Sequence, residues 1–151
     1  MRCLALGQAV CAAGGCSNFA MAEECDWITE RLREEEIPRT VLGVVPGSRE
    51  DASATLAEAD RCRADWVVVD GYHFDEVFQK PLFESGKKLM VMDDDGSKAS
   101  HDAHLILNQN PGASTGLYPN RPRIPRLLFG GQFALLRREF MPWRESRRRA
   151  S

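Results

Sequence analysis

Three short apolar segments of this sequence end abruptly in polar residues, and this pattern limits the folds available to the chain. The segments are Trp66–Val69, Leu89–Met92 and Leu105–Leu107, and they run into Asp70-Gly71-Tyr72, Asp93-Asp94-Asp95-Gly96 and Asn108-Gln109-Asn110 respectively. Apolar runs of this length, bounded by turn formers, are typical of strands buried on both faces of a parallel sheet. Ligands bind beyond the carboxyl ends of such strands. We therefore expect the carboxylates, amides and phenol that follow these segments to share one functional edge.

Helical and extended patterns alternate through most of the remaining chain. The predicted helices are Arg2–Ala13, Glu24–Glu35, Arg49–Arg63 and Phe74–Phe83, and the other predicted strands are Cys16–Ala22 and Thr40–Val45. After Asn110 the pattern changes, and Leu127–Phe129 is a short apolar run that ends in Gly130-Gly131. This alternation predicts an α/β fold, a Rossmann-like parallel sheet with helices on both faces. Because the chain opens on a helix, the sheet is expected to lack its first strand.

Three expectations concern individual segments. In the helix Glu24–Glu35, the side chains of Trp27, Ile28 and Leu32 are expected to be buried. A further helix is predicted to start within Phe133–Phe140. Residues 1–136 are expected to form one Rossmann-like domain. The arginine-rich residues 137–151 are interpreted as a basic tail or a linker to an absent nucleotide-binding domain, rather than as a nucleic-acid or membrane binder.

Composition narrows the possible partners and the compartment. A formal net charge of -2 over 151 residues argues against a general polyanion binder, so no nucleic acid is expected as a partner. The five cysteines are odd in number and form no C-x-x-C motif, which argues against a zinc site or a disulfide framework and favours a reducing, cytoplasmic setting. No apolar run approaches the roughly 20 residues of a membrane span, and a polar Gln8 weakens the faint likeness of the N-terminus to a signal peptide.

The run Asp93-Asp94-Asp95 has three interpretations. It could form a magnesium or phosphoryl-acceptor site, it could bind sugar hydroxyls, or it could cap the following turn by accepting backbone N–H groups. A phosphoryl-accepting receiver domain would also need a lysine at a later strand end, where this chain has Asn108. The asparagines at that strand end could serve the turn itself or bind an acetamido group.

Tyr72 and the histidines are the other candidates for chemistry. Tyr72 follows the flexible Gly71, so its phenol could reach into the crevice or belong to the core. His73 could act as a general base, or it could have a purely structural role, as a lone histidine more often does. His101 and His104 have a spacing that is poor evidence for a metal site, and we interpret them as part of a surface loop.

Several motifs together resemble the UDP-sugar hydrolases of the pseudaminic acid pathway and their relatives in spore-coat and polysaccharide biosynthesis. They are M-R-C-L-A-L, V-V-V-D-G-Y, V-M-D-D, H-D, L-I-L-N-Q-N, the lone Tyr118, and L-L-F-G-G-Q-F-A-L-L-R-R-E-F. The resemblance covers essentially the whole chain. It implies the N-terminal half of a B-type glycosyltransferase fold and the hydrolysis of a UDP-linked 2,4-diacetamido-2,4,6-trideoxy sugar, with no metal or cofactor.

The resemblance also implies roles for individual residues. Tyr72 matches the family's active-site tyrosine. The residues that match substrate-binding positions are Arg2, Asp93, Asp94, Asn108 and Asn110. The family's catalytic histidine precedes the residues that match Met1 and Arg2, and most uridine contacts come from a second domain. The resemblance therefore implies a half that is weakly active or inactive alone. The alternative is a non-catalytic nucleotide-sugar binding or interaction module that needs a partner chain.

Overall fold

The computed structural model describes residues 1–98, 100–119 and 125–142, and contacts group them into two compact units. The first unit contains Met1–Phe19, Cys25–Arg39 and the described residues from Leu135 onward; the second contains Ala20–Glu24 and the described part of Thr40–Ala134. The boundary predicted between residues 136 and 137 stays a prediction. Residues 143–151 of the predicted tail lie outside the described residues.

Helices α1 (Arg2–Ala12) and α2 (Asp26–Glu34) belong to the first unit. Helix α1 buries Leu4, and α2 buries Leu32. The prediction that Trp27 is buried was wrong, because its side chain is 59% exposed. Residues five positions apart lie on well-separated sides of a helix with 3.6 residues per turn, so burying Leu32 leaves Trp27 outside.

The helix predicted to start within Phe133–Phe140 begins just beyond that segment, since residues 141 and 142 are helical and the residues after them lie outside the described part of the chain. The segment contains parts of two short 3₁₀ turns, Gly131–Phe133 and Arg138–Phe140. The intervening backbone is extended at Ala134 and Arg137, where ψ is 124° and 152°. The backbone N–H of Arg138 donates to the side-chain oxygen of Gln8 at 2.9 Å. This side-chain acceptor takes the place of a helical carbonyl.

Two short strands, β1 (Phe19–Met21) and β2 (Arg39–Val41), form a two-stranded sheet. Both are shorter than predicted. Hydrogen bonding continues beyond them, since the N–H groups of Gly43 and Val44 both donate to the carbonyl of Ala22, at 3.0 and 3.4 Å. Gly43 then takes a positive φ of 66°, outside the β region, so the strand predicted over Thr40–Val45 ends early.

The second unit is built on a four-stranded parallel sheet. Its elements in chain order are α3 (Arg49–Arg61), β3 (Trp66–Asp70), α4 (Glu76–Glu84), β4 (Lys88–Met92), β5 (Leu105–Asn108) and β6 (Arg126–Phe129). The strands lie side by side in the order β3-β4-β5-β6, and each pair is parallel. The fold is therefore α/β with a Rossmann-like parallel sheet, as the alternating pattern predicted.

Side chains alternate between the two faces of this sheet. One face of the sheet contributes residues to a core that also contains apolar side chains of α3 and α4. The buried members of this core are Val67, Val69, Leu89, Val91, Ile106, Ala52, Ala59, Phe78, Leu82, Ala103 and Tyr118. Residues of the opposite face, including Met90, Met92 and Leu107, are also buried. Burial on both faces explains why these strands are continuous apolar runs in the sequence.

Helix α3 has defined signals at both ends. The hydroxyl of Ser48 accepts the N–H of Asp51 at 3.0 Å and caps the first turn. At the other end, the N–H of Ala64 donates to the carbonyl of Ala59 at 2.8 Å, a Schellman pattern. Arg63 occupies the left-handed position of this motif, with φ of 53°, where glycine is the usual residue.

Candidate functional site

The parallel register places the polar strand ends next to one another. Asp70 pairs with Met92, and Met92 pairs with Leu107, so the residues that follow β3, β4 and β5 leave the sheet at the same edge. The N–H of Asp93 continues this ladder by donating to the carbonyl of Leu107 at 2.9 Å. The polar residues at this edge lie in two layers, one buried and one exposed.

The buried layer, which we call the buried network, consists of Asp93, Asn108 and Tyr118. Their relative exposures are 3%, 0% and 0%. The Tyr118 hydroxyl donates to Oδ2 of Asp93 at 2.8 Å and accepts from Nδ2 of Asn108 at 2.8 Å. Oδ2 of Asp93 also accepts the N–H of Gly96 at 2.7 Å. The side chains of Asp93 and Asn108 thus bond within the protein, and their role in substrate binding stays a prediction.

The exposed layer, which we call the strand-end surface, consists of Tyr72, Asp94 and Asn110. The Tyr72 hydroxyl donates to Oδ2 of Asp94 at 3.3 Å. Nδ2 of Asn110 donates to the carbonyl oxygen of Asp94 at 2.9 Å and lies 3.4 Å from its Oδ1. The Tyr72 ring is 73% exposed. A phenol, a carboxylate and an amide from three strand ends therefore meet at the surface.

Lys98 lies beside this surface. Its ammonium donates to the carbonyl of Tyr72 at 3.3 Å and is 5.9 Å from the centroid of the Tyr72 ring. This distance suits a cation–π contact. Lys98 thereby links the loop after β4 to the loop after β3.

The three consecutive acids have different environments. Asp93 accepts the N–H of Gly96, and Asp95 accepts the N–H of Ser97 at 2.9 Å, so both cap the turn. The hydrogen bonds from Ser97 lower the pKa of Asp95. Asp94, which lies between them, belongs to the strand-end surface. The turn-capping interpretation therefore fits two of the acids, whereas Asp94 bonds to Tyr72 and Asn110.

His101 was predicted to lie in a surface loop, and this prediction was wrong. Its exposure is 1%, and its ring packs edge-on against Tyr118 with 5.0 Å between centroids. Nε2 of His101 has no hydrogen-bond partner within the described part of the chain, and burial lowers the pKa of this histidine. His104 lies instead against Phe83, with stacked rings 4.3 Å apart. Among the described residues, no three His, Cys, Asp or Glu side chains are grouped to hold a metal ion.

Sequence reasoning noted Tyr118 as part of the resemblance but assigned it no role. Burial raises the pKa of its hydroxyl well above the usual value, and the hydrogen bond to Asp93 adds to this rise. The hydroxyl is therefore held as a neutral donor. One feature of the sequence does point to this burial. Tyr118 is a single tyrosine in a Pro- and Gly-rich loop, and such a large ring is expected to pack in a core.

Two other candidates have different surroundings. Arg2 lies in α1 of the first unit, and its role in substrate binding stays a prediction. The exposed ring of His73 contacts Phe74, with 4.2 Å between centroids.

Comparison of the chain with protein-family models, curated proteins and solved structures found no match. No helix in the described part of the chain has the length and apolar character needed to cross a membrane.

Proposed function

We propose that the strand-end surface binds the sugar of a UDP-linked diacetamido sugar, and that this chain supplies the sugar-binding half of a UDP-sugar hydrolase. The observation that carries the proposal is the hydrogen-bonded group of Tyr72, Asp94 and Asn110 at the carboxyl edge of a parallel sheet. Ligands of open α/β sheets bind at this edge.

The chemistry of the three side chains supports a sugar as the ligand. The exposed ring of Tyr72 offers an apolar face for the C–H groups of a pyranose, and its hydroxyl offers a polar handle. The carboxylate of Asp94 accepts hydrogen bonds from hydroxyl or acetamido N–H groups. The amide of Asn110 both donates and accepts, which suits an acetamido substituent.

Hydrolysis would place further demands on the complete enzyme. It needs a base to activate water and donors to stabilise the departing diphosphate. In our proposal Tyr72 contacts the reacting sugar, and Asp94 orients its phenol. The base and the uridine contacts come from a histidine-bearing segment and a nucleotide-binding half, as the family resemblance implies.

Isothermal titration calorimetry tests the binding step. The probes are the UDP-linked 2,4-diacetamido-2,4,6-trideoxy sugar and UDP alone, each titrated into the purified chain. We expect the sugar nucleotide to bind more tightly than UDP. Asp94→Asn removes a charged acceptor, so we expect it to weaken binding by about tenfold to a hundredfold.

A matched control is available at Asp60. Its carboxylate pairs with Lys87 at 2.9 Å, next to the amino end of β4, and is 71% exposed. Asp60→Asn makes the same chemical change away from the strand-end surface and is expected to leave binding unchanged. Equal affinity for UDP and the sugar nucleotide, or equal effects of the two Asp→Asn changes, would refute the proposed sugar site.

A UDP-release assay separates the hydrolase from the alternative, a non-catalytic binding module. The chain is combined with a histidine-bearing segment and a nucleotide-binding half, and released UDP is measured over time. Release that depends on Tyr72 supports the hydrolase. Tight binding without release under the same conditions favours the binding module.

A further inference from the structure

The Tyr118 side chain lies between the ends of two strands that carry the strand-end surface. It follows the 3₁₀ turn Thr115–Leu117, and its ring is fully buried between His101 and Phe129. The ring of Phe129 stacks on it with 5.4 Å between centroids. Packing on both sides fixes the ring and therefore the position of the hydroxyl.

That hydroxyl uses its one donor and accepts one bond, and each bond goes to a different strand end. It donates to Asp93 after β4 and accepts from Asn108 at the end of β5. Asp93 is the direct neighbour of Asp94. Oδ1 of Asn108 accepts the N–H of Asn110 at 3.0 Å. Each partner of Tyr118 is thus one or two residues from a member of the strand-end surface.

We propose that Tyr118 is a positioning residue whose hydroxyl holds Asp94 and Asn110 in the arrangement that binds the ligand. This inference rests on the proposed function for the identity of the ligand. The hydrogen bonds that connect Tyr118 to the two strand ends are present without a ligand. Removing the hydroxyl leaves the amide of Asn108 without its acceptor and removes one donor from the buried carboxylate of Asp93. Both groups then seek new partners, and the two loops lose their common anchor.

The test is Tyr118→Phe, which keeps the buried ring and removes the hydroxyl. The first measurement needs no ligand: the side-chain amide resonances of Asn110 and the hydrogen exchange of the Asp93–Gly96 turn are recorded by NMR. We expect the Asn110 resonances to shift and exchange in the turn to become faster. In calorimetry, we expect the sugar nucleotide to bind about tenfold more weakly.

Ile106→Val serves as the control for stability alone. Ile106 is fully buried in β5 and belongs to the apolar core. Its shortening destabilises the fold by an amount comparable to the loss of a buried hydrogen bond. We expect it to leave the Asn110 resonances and the affinity unchanged. Equal changes in both variants would overturn a positioning role for Tyr118.

A reciprocal measurement covers the case in which Tyr118→Phe does not fold. The chain has two tyrosines, so biosynthetic 3-fluorotyrosine gives two ¹⁹F resonances. Because coupling is reciprocal, the surface change Asp94→Asn should shift the resonance of buried Tyr118. An unchanged Tyr118 resonance overturns the proposal. If these spectroscopic couplings are present but the unsubstituted chain does not bind the sugar nucleotide, the proposed function is refuted, and the positioning role of Tyr118 is not.

Discussion

Replacing Gly96 with alanine should destabilise the second unit strongly, because two separate costs meet at this residue. Gly96 has a positive φ of 66°. A Cβ added there would lie 2.8 Å from Cβ of Leu117 and would also overlap the backbone carbonyl oxygen of Leu117. The residue donates its N–H to Asp93, so the turn cannot move away without loosening the buried network.

Two other glycines allow these costs to be separated. Gly86 also has a positive φ, 86°, but a Cβ added there would have no heavy atom within 4 Å. Gly112 has open space and no positive φ. An L-residue in the left-handed region costs about 1–2 kcal/mol. Overpacking adds typically about 1–3 kcal/mol.

The expected free energies of unfolding follow from this division. Gly96→Ala should lose about 2–5 kcal/mol, the sum of both costs. Gly86→Ala should lose about 1–2 kcal/mol. Gly112→Ala should be neutral or should gain up to about 1 kcal/mol by restricting the unfolded chain. Since a typical domain is stable by about 5–15 kcal/mol, the first change removes a large part of the total.

Urea denaturation followed by far-UV circular dichroism measures these differences. The midpoint should fall in the order Gly112→Ala, Gly86→Ala, Gly96→Ala, with unchanged slopes. If Gly96→Ala costs no more than Gly86→Ala, the contact with Leu117 does not constrain the turn. Packing against Leu117 would then not explain the conformation of the loop after β4.

Four further substitutions give three independent checks. Arg63→Gly should stabilise the chain by up to about 1 kcal/mol, because glycine removes the strain of the left-handed C-terminal position of α3; a loss of stability in urea would contradict this. Burial lowers the pKa of His101 in the fold from its usual 6.5, so the unfolded chain binds the proton more strongly and stability should fall as the pH drops below that value. His101→Phe should make the urea midpoint less dependent on pH between about 8 and about 5, and an unchanged dependence would exclude His101 as the cause. Ile106→Ala should cost about 2–5 kcal/mol in the same assay. Val77→Ala, at a side chain that is 48% exposed, should stay within about 0.5 kcal/mol, and similar losses for the two would contradict the assigned core.

Sequence patterns predicted the bounds of β3, β4 and β5 more closely than those of the short strands β1 and β2. The expected bounds of β3, β4 and β5 differ from the observed ones by one residue at most at each end. These strands are buried on both faces, so their apolar runs and their polar ends are sharp. The strands predicted as Cys16–Ala22 and Thr40–Val45 extend beyond the observed ones, since Val44 and Val45 have strand propensity but follow Gly43, whose positive φ ends the strand.

The location of the candidate site could be predicted from the sequence, but the burial of its individual side chains could not. The strand ends indicated which edge of the sheet carries polar groups, but they did not distinguish Asp93, which is buried, from Asp94, which is not. That distinction depends on Tyr118, which is 25 residues from Asp93 in the chain. The burial of His101 depends on the same loop closure. Periodicity within a short window carries no information about contacts of this range.

The order of strands in the larger sheet also bears on how the chain can assemble. Each strand from β3 to β5 hydrogen-bonds to the strand that follows it in the sequence. Every new pairing therefore adds the next strand to an existing edge, but it must first close a crossover connection, as between Trp66 and Lys88. We expect this sheet to grow strand by strand, at the slower folding rate typical of parallel pairing.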